Sequence, residues 1–287
     1  ALADVDATAH LADEWILSRL NATIRDATAA IEGYRYNELT DGLYHFMWDD
    51  FCDWYLEIAK SRILAGEDAP KAVLAHCMDR LLRLLHPVCP FITEAIWDSF
   101  GTVVPLRADH DADENLLIRA DWPEANDAFD NADAEAAFAV CQELIRAIRN
   151  ARTEHNVPPS QKVDAILEAG DQTALIGANV GLIASQAGLA NVEVVDAATA
   201  VPDAAATVTA GGLRAHVLDI IDLEAEKARL AKQLEQLAKG IKGIEGKLSN
   251  EKFTAKAPAE VVQRERDRLE GLQAELATVE AAMAKLG

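Results

Sequence analysis

Two heptad repeats near the C-terminus constrain the fold more than any other feature of this 287-residue chain. Apolar residues follow one another at intervals of 7, 4, 3, 4, 3 and 4 from Leu223 to Leu248, and of 3, 4, 3, 4 and 3 from Leu269 to Leu286. Such alternation forms the apolar seam of a coiled coil. The intervening SNEKFTAKAP contains Pro258, which a helix interior does not accommodate, so we expect an antiparallel hairpin. Each arm is a long helix, with a rise of about 1.5 Å per residue, that buries one narrow apolar stripe and little else. We therefore expect the hairpin to project from the body.

The preceding sequence predicts an antiparallel helical bundle. Apolar residues at helical spacing indicate helices over residues 7–32, 36–65, 70–85 and 131–154, with a shorter one over 92–99. Gly33 provides a stop for the first helix, and the short turns favour antiparallel neighbours. The aromatic residues of the second helix should form core, because an aromatic stripe at helical spacing is usually buried; they are Tyr44, Phe46, Trp48, Phe51, Trp54 and Tyr55.

From residue 158 the pattern changes to short β-type runs. VDAILEA, NVEVVD, ATVTA and LRAHVLDI surround one helix near 171–187, which indicates a small α+β unit. The polar stretch 101–130, with an acidic insertion near 107–115, predicts a linker or surface insertion. We therefore predict a mainly α chain with three parts. These are a bundle over 1–156, a small α+β subdomain over 157–218 and a coiled-coil hairpin over 219–287.

The net charge is −21, from 48 acidic and 27 basic residues, and it is unevenly distributed. Residues 1–216 have a net charge of −20, whereas residues 227–256 contain eight basic and three acidic residues, a net of +5. The total alone would argue against a nucleic-acid partner, because phosphates are repelled by a negative surface. A local basic window is nevertheless what a phosphate contact requires. The alternative is an ordinary soluble helix with scattered lysines.

Motifs for catalysis are missing from the sequence. It contains no glycine-rich phosphate loop, no G-x-S-x-G and no H-E-x-x-H. The four cysteines lie far apart, so we expect reduced thiols, no metal site and a cytoplasmic location; they are Cys52, Cys77, Cys89 and Cys141. No apolar run approaches the roughly 20 residues of a membrane span. The start ALADVDATAH resembles no signal peptide and suggests a piece of a longer protein. We expect this chain to have no cofactor and no catalysis of its own.

Recognition of single-stranded RNA is the alternative to catalysis. Bases of single strands stack on aromatic rings and guanidinium planes, and both groups occur near helix ends here. The candidates are Arg19, Asn21 and Arg25 on the first helix, Tyr34, Arg35, Tyr36 and Asn37 in the following turn, and Arg146, Arg149 and Arg152 on the fourth helix, whose spacing of three residues predicts a ridge along one side of that helix. In the alternative, these residues have a purely structural role: Tyr34 and Tyr36 cap the bundle core while Arg35 pairs with a nearby acid.

Several long motifs resemble a known family. WILSRLN, YRYNELTDGLYHFMWDDFCDWYLEIAK and LLRLLHPVCPFITEAIW are similar to the anticodon-binding bundle of class I aminoacyl-tRNA synthetases. The segment LIRAIRNARTEHNVPPSQKV and the heptad ending resemble the C-terminal region of valyl-tRNA synthetases. The ATP-binding signatures HIGH and KMSKS of that family do not occur in this sequence. The resemblance therefore implies a C-terminal part whose catalytic and editing domains, with ATP and Mg²⁺, lie elsewhere.

The resemblance also implies partners and contact residues. The bundle would bind the anticodon loop of a valine-accepting tRNA, and the hairpin would bind the tRNA elbow. The implied elbow contacts are Lys232, Lys239, Lys242, Lys247, Asn250, Lys252, Phe253 and Lys256. The rest of the synthetase would be a partner in cis, within a monomer that does not contact membranes. The competing hypothesis is a protein-interaction module without an RNA role, because exposed heptads can also pair between chains.

Overall fold

The computed structural model describes residues 10–104, 116–197, 205–220, 223–249 and 259–285. In this part of the chain, helices dominate and one four-stranded sheet is present. The prediction of a mainly α protein with a bundle, a small α+β unit and a C-terminal hairpin is therefore confirmed. The acidic insertion near 107–115 lies outside the described residues.

Six α-helices form the bundle. They are α1 (Leu11–Glu32), α2 (Tyr36–His45), α3 (Glu57–Leu64), α4 (Ala69–Leu85), α5 (Pro90–Val103) and α6 (Ala132–Glu154). A π-helical segment, Phe46–Leu56, joins α2 to α3, so the predicted second helix is continuous but widened in its middle. Buried Phe46, Phe51 and Tyr55 follow one another at intervals of five and four residues, which suits the wider turn of a π-helix.

Helix α1 lies at the centre of the bundle. Its Trp15 stacks on Phe138 of α6 with 4.0 Å between ring centroids. Its Asp13 is fully buried and accepts hydrogen bonds from the Tyr55 hydroxyl at 2.7 Å and from Arg62 at 2.6 Å. Burial raises the pKa of Tyr55, and the neighbouring Asp13 carboxylate raises it further. The phenol therefore remains a hydrogen-bond donor to the central helix.

The region between α5 and α6 is more ordered than the sequence predicts. Helix α5 continues to Val103, beyond the expected end near residue 99. Leu117 is buried against Leu82 and Trp97, and the indole N–H of Trp122 donates to the Thr28 hydroxyl at 2.8 Å. Of the two alternatives for 101–130, a linker or a surface insertion, residues 116–130 therefore follow the second, because they pack on the surface of the bundle. Isolated apolar residues in a polar stretch have no periodicity that would reveal such packing.

The α+β unit contains all four predicted strands. They are β1 (Val163–Glu168), β2 (Leu189–Val195), β3 (Ala206–Ala210) and β4 (Leu213–Val217), in the sheet order β2–β1–β4–β3. Strand β2 runs parallel to β1 through helices α7 (Thr173–Ala178) and α8 (Val180–Ala187), whereas the pairs β1–β4 and β3–β4 are antiparallel. Helix α6 contacts both the bundle and the sheet, and one continuous hydrophobic core runs through both.

The C-terminal hairpin consists of α9 (Leu223–Leu248) and α10 (Ala259–Lys285). Gln233 bonds to Glu275 while Lys247, farther along α9, pairs with Glu265, so the two helices are antiparallel. The seam buries Leu230, Leu237 and Val279, as the heptads predict. Among the described residues, no helix is both long and apolar enough to cross a membrane.

Candidate nucleic-acid interface

The turn between α1 and α2 contains four candidate residues, 34–37. Helix α1 ends with the Arg35 backbone N–H donating to the Ala30 carbonyl at 2.8 Å, a closure that requires one left-handed residue. That residue is Tyr34, with φ 56°, whereas Gly33 has φ −86°. A left-handed backbone costs a non-glycine residue roughly 1–2 kcal/mol, and strain of this kind concentrates at functional sites.

Both tyrosines of this turn point into solvent. Tyr34 is 79% exposed and Tyr36 is 58% exposed, and their rings meet edge to face with centroids 6.4 Å apart. The alternative in which they cap the bundle core is therefore wrong. Its other half is confirmed, because Arg35 donates to Glu38 at 2.8 Å. Asn37 is exposed beside them. The turn thus offers two open rings and an exposed amide.

Two aromatic residues of the second helix join this exposed set. Tyr44 and Trp48 are 56% and 47% exposed, and their ring centroids lie 6.4 Å apart. With Tyr36 and Thr40 they follow one another at intervals of four residues, so each lies beside the next along the helix surface. The prediction of a buried aromatic stripe is confirmed for Phe46, Phe51, Trp54 and Tyr55 and wrong for these two. We call Tyr34, Tyr36, Tyr44 and Trp48 the aromatic face.

Carboxylates border the aromatic face. His45 lies 2.6 Å from Asp49 and 3.6 Å from Asp41, and its hydrogen bond to Asp49 raises the pKa of the imidazole. Because negative side chains repel phosphates, a nucleic acid bound here would gain its affinity from ring stacking rather than from backbone neutralisation. The face therefore suits unpaired bases more than a duplex.

Two candidates on α1 have structural partners instead. Asn21 is buried; its amide oxygen accepts from the Asn126 backbone N–H at 2.7 Å and its amide nitrogen donates to Asp130. Arg25 donates to both oxygens of Asp130, at 2.8 and 2.7 Å, and to Asp127 at 2.6 Å. These bonds raise the pKa of Arg25 and lower that of Asp130. Both side chains hold the loop before α6 against α1, so their polar groups already have partners within the fold.

Arg19 also serves the bundle. Its Nε lies 3.0 Å from Asp50 and its guanidinium 3.7 Å from Glu135, while two-fifths of the side chain remains exposed. Two carboxylates therefore neutralise this charge and connect α1 to the π-helical segment and to α6. The charge of Arg19 is thus compensated within the fold.

The three arginines of α6 do not form a common ridge. Arg152 is buried and its guanidinium donates to four backbone carbonyls, those of Ala187, Gly188, Pro158 and Gln161. It joins α6 to the end of α8 and to the loop before β1. Arg152 is therefore a structural residue whose guanidinium is engaged within the fold.

Arg146 and Arg149 lie together over one indole ring. Their guanidinium carbons are 5.2 and 5.5 Å from the centroid of Trp54, and Arg149 also donates to the Gln186 carbonyl at 2.7 Å. Burial, followed by the charges of Arg146 and Arg152, lowers the pKa of Arg149. Both side chains remain exposed, so this pair keeps an accessible positive charge.

Four lysines of α9, Lys232, Lys239, Lys242 and Lys247, are exposed. Lys239 pairs with Glu235 on its own helix at 2.6 Å, and Lys247 lies 3.4 Å from Glu265 of α10. The other four elbow candidates, Asn250, Lys252, Phe253 and Lys256, lie outside the described residues.

The second hairpin helix adds basic residues that the sequence reasoning missed. Arg264, Arg266 and Arg268 are exposed on α10. Interleaved Glu265 and Asp267 lower the net charge of that stretch, so a search by net charge passes over it. Arg264 and Arg268, four residues apart, share a helix face, so counting basic side chains on that face would have found these two.

The described residues contain no group of three or more His, Cys, Asp or Glu side chains that could hold a metal ion. The four cysteines are free thiols, and burial raises the pKa of Cys141 to about 11. The accessible features are thus aromatic rings, arginines and lysines. These groups bind and orient a polyanion with unpaired bases.

Comparison with known proteins gives a consistent family. Residues 13–167 match the family described as the anticodon-binding domain of tRNA ligase, and residues 222–287 match the valyl tRNA synthetase tRNA binding arm. The chain is 39% identical to the valine–tRNA ligase of Carboxydothermus hydrogenoformans, over 96% of this chain and 31% of that protein. It is 38% identical to that of Nocardia farcinica, over 96% and 30%, and 36% identical to that of Geobacillus stearothermophilus, over 99% and 32%.

The chain thus spans about a third of the length of these relatives. The first matched region covers the bundle and extends into β1, the second covers the hairpin, and together they follow the C-terminal organisation of valyl-tRNA synthetases. On the strength of the bundle match, the chain belongs to the family of tRNA-ligase anticodon-binding domains.

Proposed function

We propose that this chain binds tRNA as the C-terminal part of a valine–tRNA ligase, with the anticodon loop on the bundle and the elbow on the hairpin. One observation carries the proposal: exposed lysines line a hairpin whose sequence matches a tRNA binding arm, in a chain of net charge −21. Valine as the amino acid follows from the names of the relatives.

On the bundle, recognition would use the aromatic face. An anticodon loop presents unstacked bases, and each base can stack on an exposed ring such as Tyr34 or Trp48. Asn37 has an amide that can donate to and accept from a base edge. The exposed pair Arg146 and Arg149 supplies positive charge on α6. Stacking contributes about 1–3 kcal/mol per base and tolerates any sequence, so discrimination has to come from edge contacts.

On the hairpin, recognition would be electrostatic. Lysine ammonium groups on α9 neutralise phosphates and release counterions, which positions an RNA without reading its sequence. A rigid arm that holds the elbow while the bundle holds the loop fixes the orientation of the whole tRNA. Fixed orientation is how a binding region contributes to a reaction that occurs elsewhere.

The synthetase reaction itself needs ATP and Mg²⁺, which we assign to the sequence that the relatives have outside the matched region. The described residues provide no cluster of His, Cys, Asp or Glu that fits a divalent ion. We further propose a cytoplasmic monomer. Support for the monomer comes from the heptad seam, which already buries Leu230, Leu237 and Val279 within one chain and is therefore unavailable to a second copy. The same burial disfavours the interaction-module hypothesis.

Fluorescence anisotropy with a labelled valine tRNA transcript tests the proposal. Binding should weaken as salt rises, and replacing Lys232, Lys239, Lys242 and Lys247 by alanine should reduce the salt slope by about 0.7–0.9 per lost phosphate contact. The matched control is Lys71→Ala with Lys162→Ala, two exposed lysines outside the hairpin. An unchanged slope in the quadruple variant would contradict phosphate contact by the arm, and no binding by the folded chain would contradict tRNA recognition.

A further inference from the structure

Arg146 and Arg149 differ from the other arginines of helices α1 to α6 and of the α1–α2 turn. Six of those arginines have a guanidinium nitrogen within 3.4 Å of a carboxylate oxygen, and Arg152 donates to four backbone carbonyls. The six are Arg19, Arg25, Arg35, Arg62, Arg80 and Arg83. Among the described residues, no carboxylate pairs with Arg146 or Arg149, so the fold leaves both charges uncompensated.

Two unpaired guanidiniums are unexpected in so acidic a region, because residues 1–216 contain 35 acidic and 15 basic residues. Glu57 is the carboxylate whose charge acts on Arg149, and it already lies 3.7 Å from Lys60. The two guanidiniums share one aromatic ring and repel each other, since like charges at this range raise the energy of the pair. A bound anion would remove that repulsion, and the arrangement therefore indicates an anion site.

Trp54 forms the floor of this site. The guanidinium carbons of Arg146 and Arg149 lie 5.2 and 5.5 Å from the centroid of its ring. The indole is 5% exposed and meets the fully buried ring of Phe138 edge to face, with centroids 6.0 Å apart, so the core holds it in place. Arg149 also donates to the backbone and side-chain oxygens of Gln186, at 2.7 and 3.2 Å. In the described part of the chain Arg146 donates to no other residue, so its N–H groups remain available to a ligand.

The donor geometry selects a phosphate group as the ligand. A guanidinium presents its N–H groups as a planar fork that matches the oxygens of a phosphate. A phosphodiester carries a single negative charge shared by its unesterified oxygens, so different oxygens can accept from the two arginines. The acidic surroundings disfavour a longer run of phosphates, because each further phosphate would face carboxylates rather than cations. The site therefore suits a single phosphate of a chain that is bound elsewhere by its bases.

We propose that Arg146 and Arg149 together bind one backbone phosphate of the RNA that the bundle holds, at a site made of different residues from the aromatic face. The inference rests on the proposed function and deepens it, because a phosphate contact fixes the position of the RNA without reading its sequence. The α+β unit contributes as well, since Gln186, which holds Arg149, lies on α8 between the two regions that match known families.

Methylphosphonate substitution in the RNA tests the contact. Each phosphate of a stem–loop with the valine anticodon arm is replaced in turn by a neutral methylphosphonate, and affinities are measured by fluorescence anisotropy. At one position the parent should lose about tenfold or more in affinity, the equivalent of one hydrogen bond between charged groups. Arg146→Met with Arg149→Met should lose the same factor with unmodified RNA and lose nothing further at that position. Factors that multiply at every position would overturn the proposal.

The salt dependence of binding counts the phosphates involved. The methionine double variant should reduce the salt slope by about 0.7–0.9, the contribution of one phosphate contact. A control that also removes two positive charges, Lys71→Met with Lys162→Met, should leave the slope unchanged. Arg146→Lys with Arg149→Lys keeps both charges and should retain the slope. An unchanged slope in the methionine variant, or a reduction twice as large, would overturn binding of one shared phosphate.

Inorganic phosphate separates this inference from the proposed function. Titrated into the full chain at constant ionic strength, it should shift the NMR signals of the guanidinium N–H groups of Arg146 and Arg149. Arg25 is the control, because Asp127 and Asp130 already occupy its guanidinium. RNA binding without methylphosphonate coupling at any position would overturn this inference alone. Phosphate shifts in a chain that binds no RNA would contradict both the proposed function and the assignment to an RNA phosphate, and would leave a site for free phosphate.

Discussion

Arg152 is the residue for which the structure differs most from the expectation based on sequence, because it is buried and bound to the backbone rather than free to contact RNA. Its guanidinium donates to the Ala187 carbonyl at 2.6 Å, to Gly188 at 2.5 Å, to Gln161 at 2.7 Å and to Pro158 at 3.2 Å. Hydrogen bonds from charged donors contribute about 1.5–3 kcal/mol each, and they are not additive when one group makes them all. Arg152→Met keeps the stem and removes all four donors. We expect a loss of about 3–5 kcal/mol in the free energy of unfolding, the usual range for breaking a buried charged network.

Gly188 provides a second way to measure the same contact. It ends α8 with φ 69°, and a Cβ built there would lie 1.9 Å from a guanidinium nitrogen of Arg152. Gly188→Ala therefore combines backbone strain with a clash against a side chain that four carbonyls hold in place. In an Arg152→Met background the clash is gone and only the strain, roughly 1–2 kcal/mol, remains. The double variant should accordingly be more stable than the sum of the single effects predicts.

Urea unfolding followed by circular dichroism measures both effects, with Arg146→Met as the control at an exposed position of the same helix. Arg152→Met should lower the midpoint strongly while its folded fraction binds valine tRNA with parental affinity. Arg146→Met should leave the midpoint nearly unchanged. An Arg152→Met chain within about 0.5 kcal/mol of the parent, the range of ordinary surface substitutions, would refute the structural role.

Three further predictions concern the aromatic face, the loop before α6 and the charge of the whole chain. Tyr44→Ala and Trp48→Ala should each weaken tRNA binding by about 1–3 kcal/mol in anisotropy titrations without loss of stability, and the control Leu64→Ala should change neither; parental affinity in both would exclude stacking there. Asp130→Asn should destabilise the chain at pH 6, where the carboxylate pairs with Arg25. Because that pairing lowers the pKa of Asp130 below 3.8, the difference should shrink in unfolding curves as the pH falls below this value. A difference independent of pH would exclude the ion pair as the cause. Raising salt should stabilise the fold, since it screens self-repulsion of a chain with net charge −21, while it weakens tRNA binding; parallel responses of the two quantities would contradict the charge argument.

The features predicted well from sequence are those that local periodicity encodes. The heptads of α9 and α10 specify the hairpin because each seam residue needs the other helix to be buried. The four strands were found because short β-type runs between turn residues carry their own signal. For the turn at Tyr34 the sequence leaves two alternatives open, exposed rings or rings that cap the core, because residue spacing alone does not distinguish them.

The prediction that the three arginines of α6 form one ridge is wrong for a geometric reason. At about 100° per residue, six positions rotate a helix by about 600°, so Arg152 points about 120° away from Arg146. Residues spaced by three and then three therefore leave a common helix face. Arg152 points toward α8, where it donates to the Ala187 carbonyl.

The sequence does not reveal the structural partners of Asn21 and Arg25, for a topological reason. Their partners Asn126 and Asp130 lie more than 100 residues away in the sequence. No local pattern indicates that a polar side chain will be used by such a distant loop. Trp48 shows the converse: an aromatic residue on a helix was assigned to the core, although the buried face marked by Leu39 and Leu43 excludes it.

Hydroxyl-radical footprinting of valine tRNA, with and without the chain at low salt, tests the central claim most directly. Two separate regions should be protected, the anticodon loop by the bundle and the elbow by the hairpin. Replacing Lys232, Lys239, Lys242 and Lys247 by alanine should remove elbow protection and leave protection of the anticodon loop. Protection confined to one region in the parent chain, or elbow protection that survives the four substitutions, would contradict a two-site tRNA-binding region.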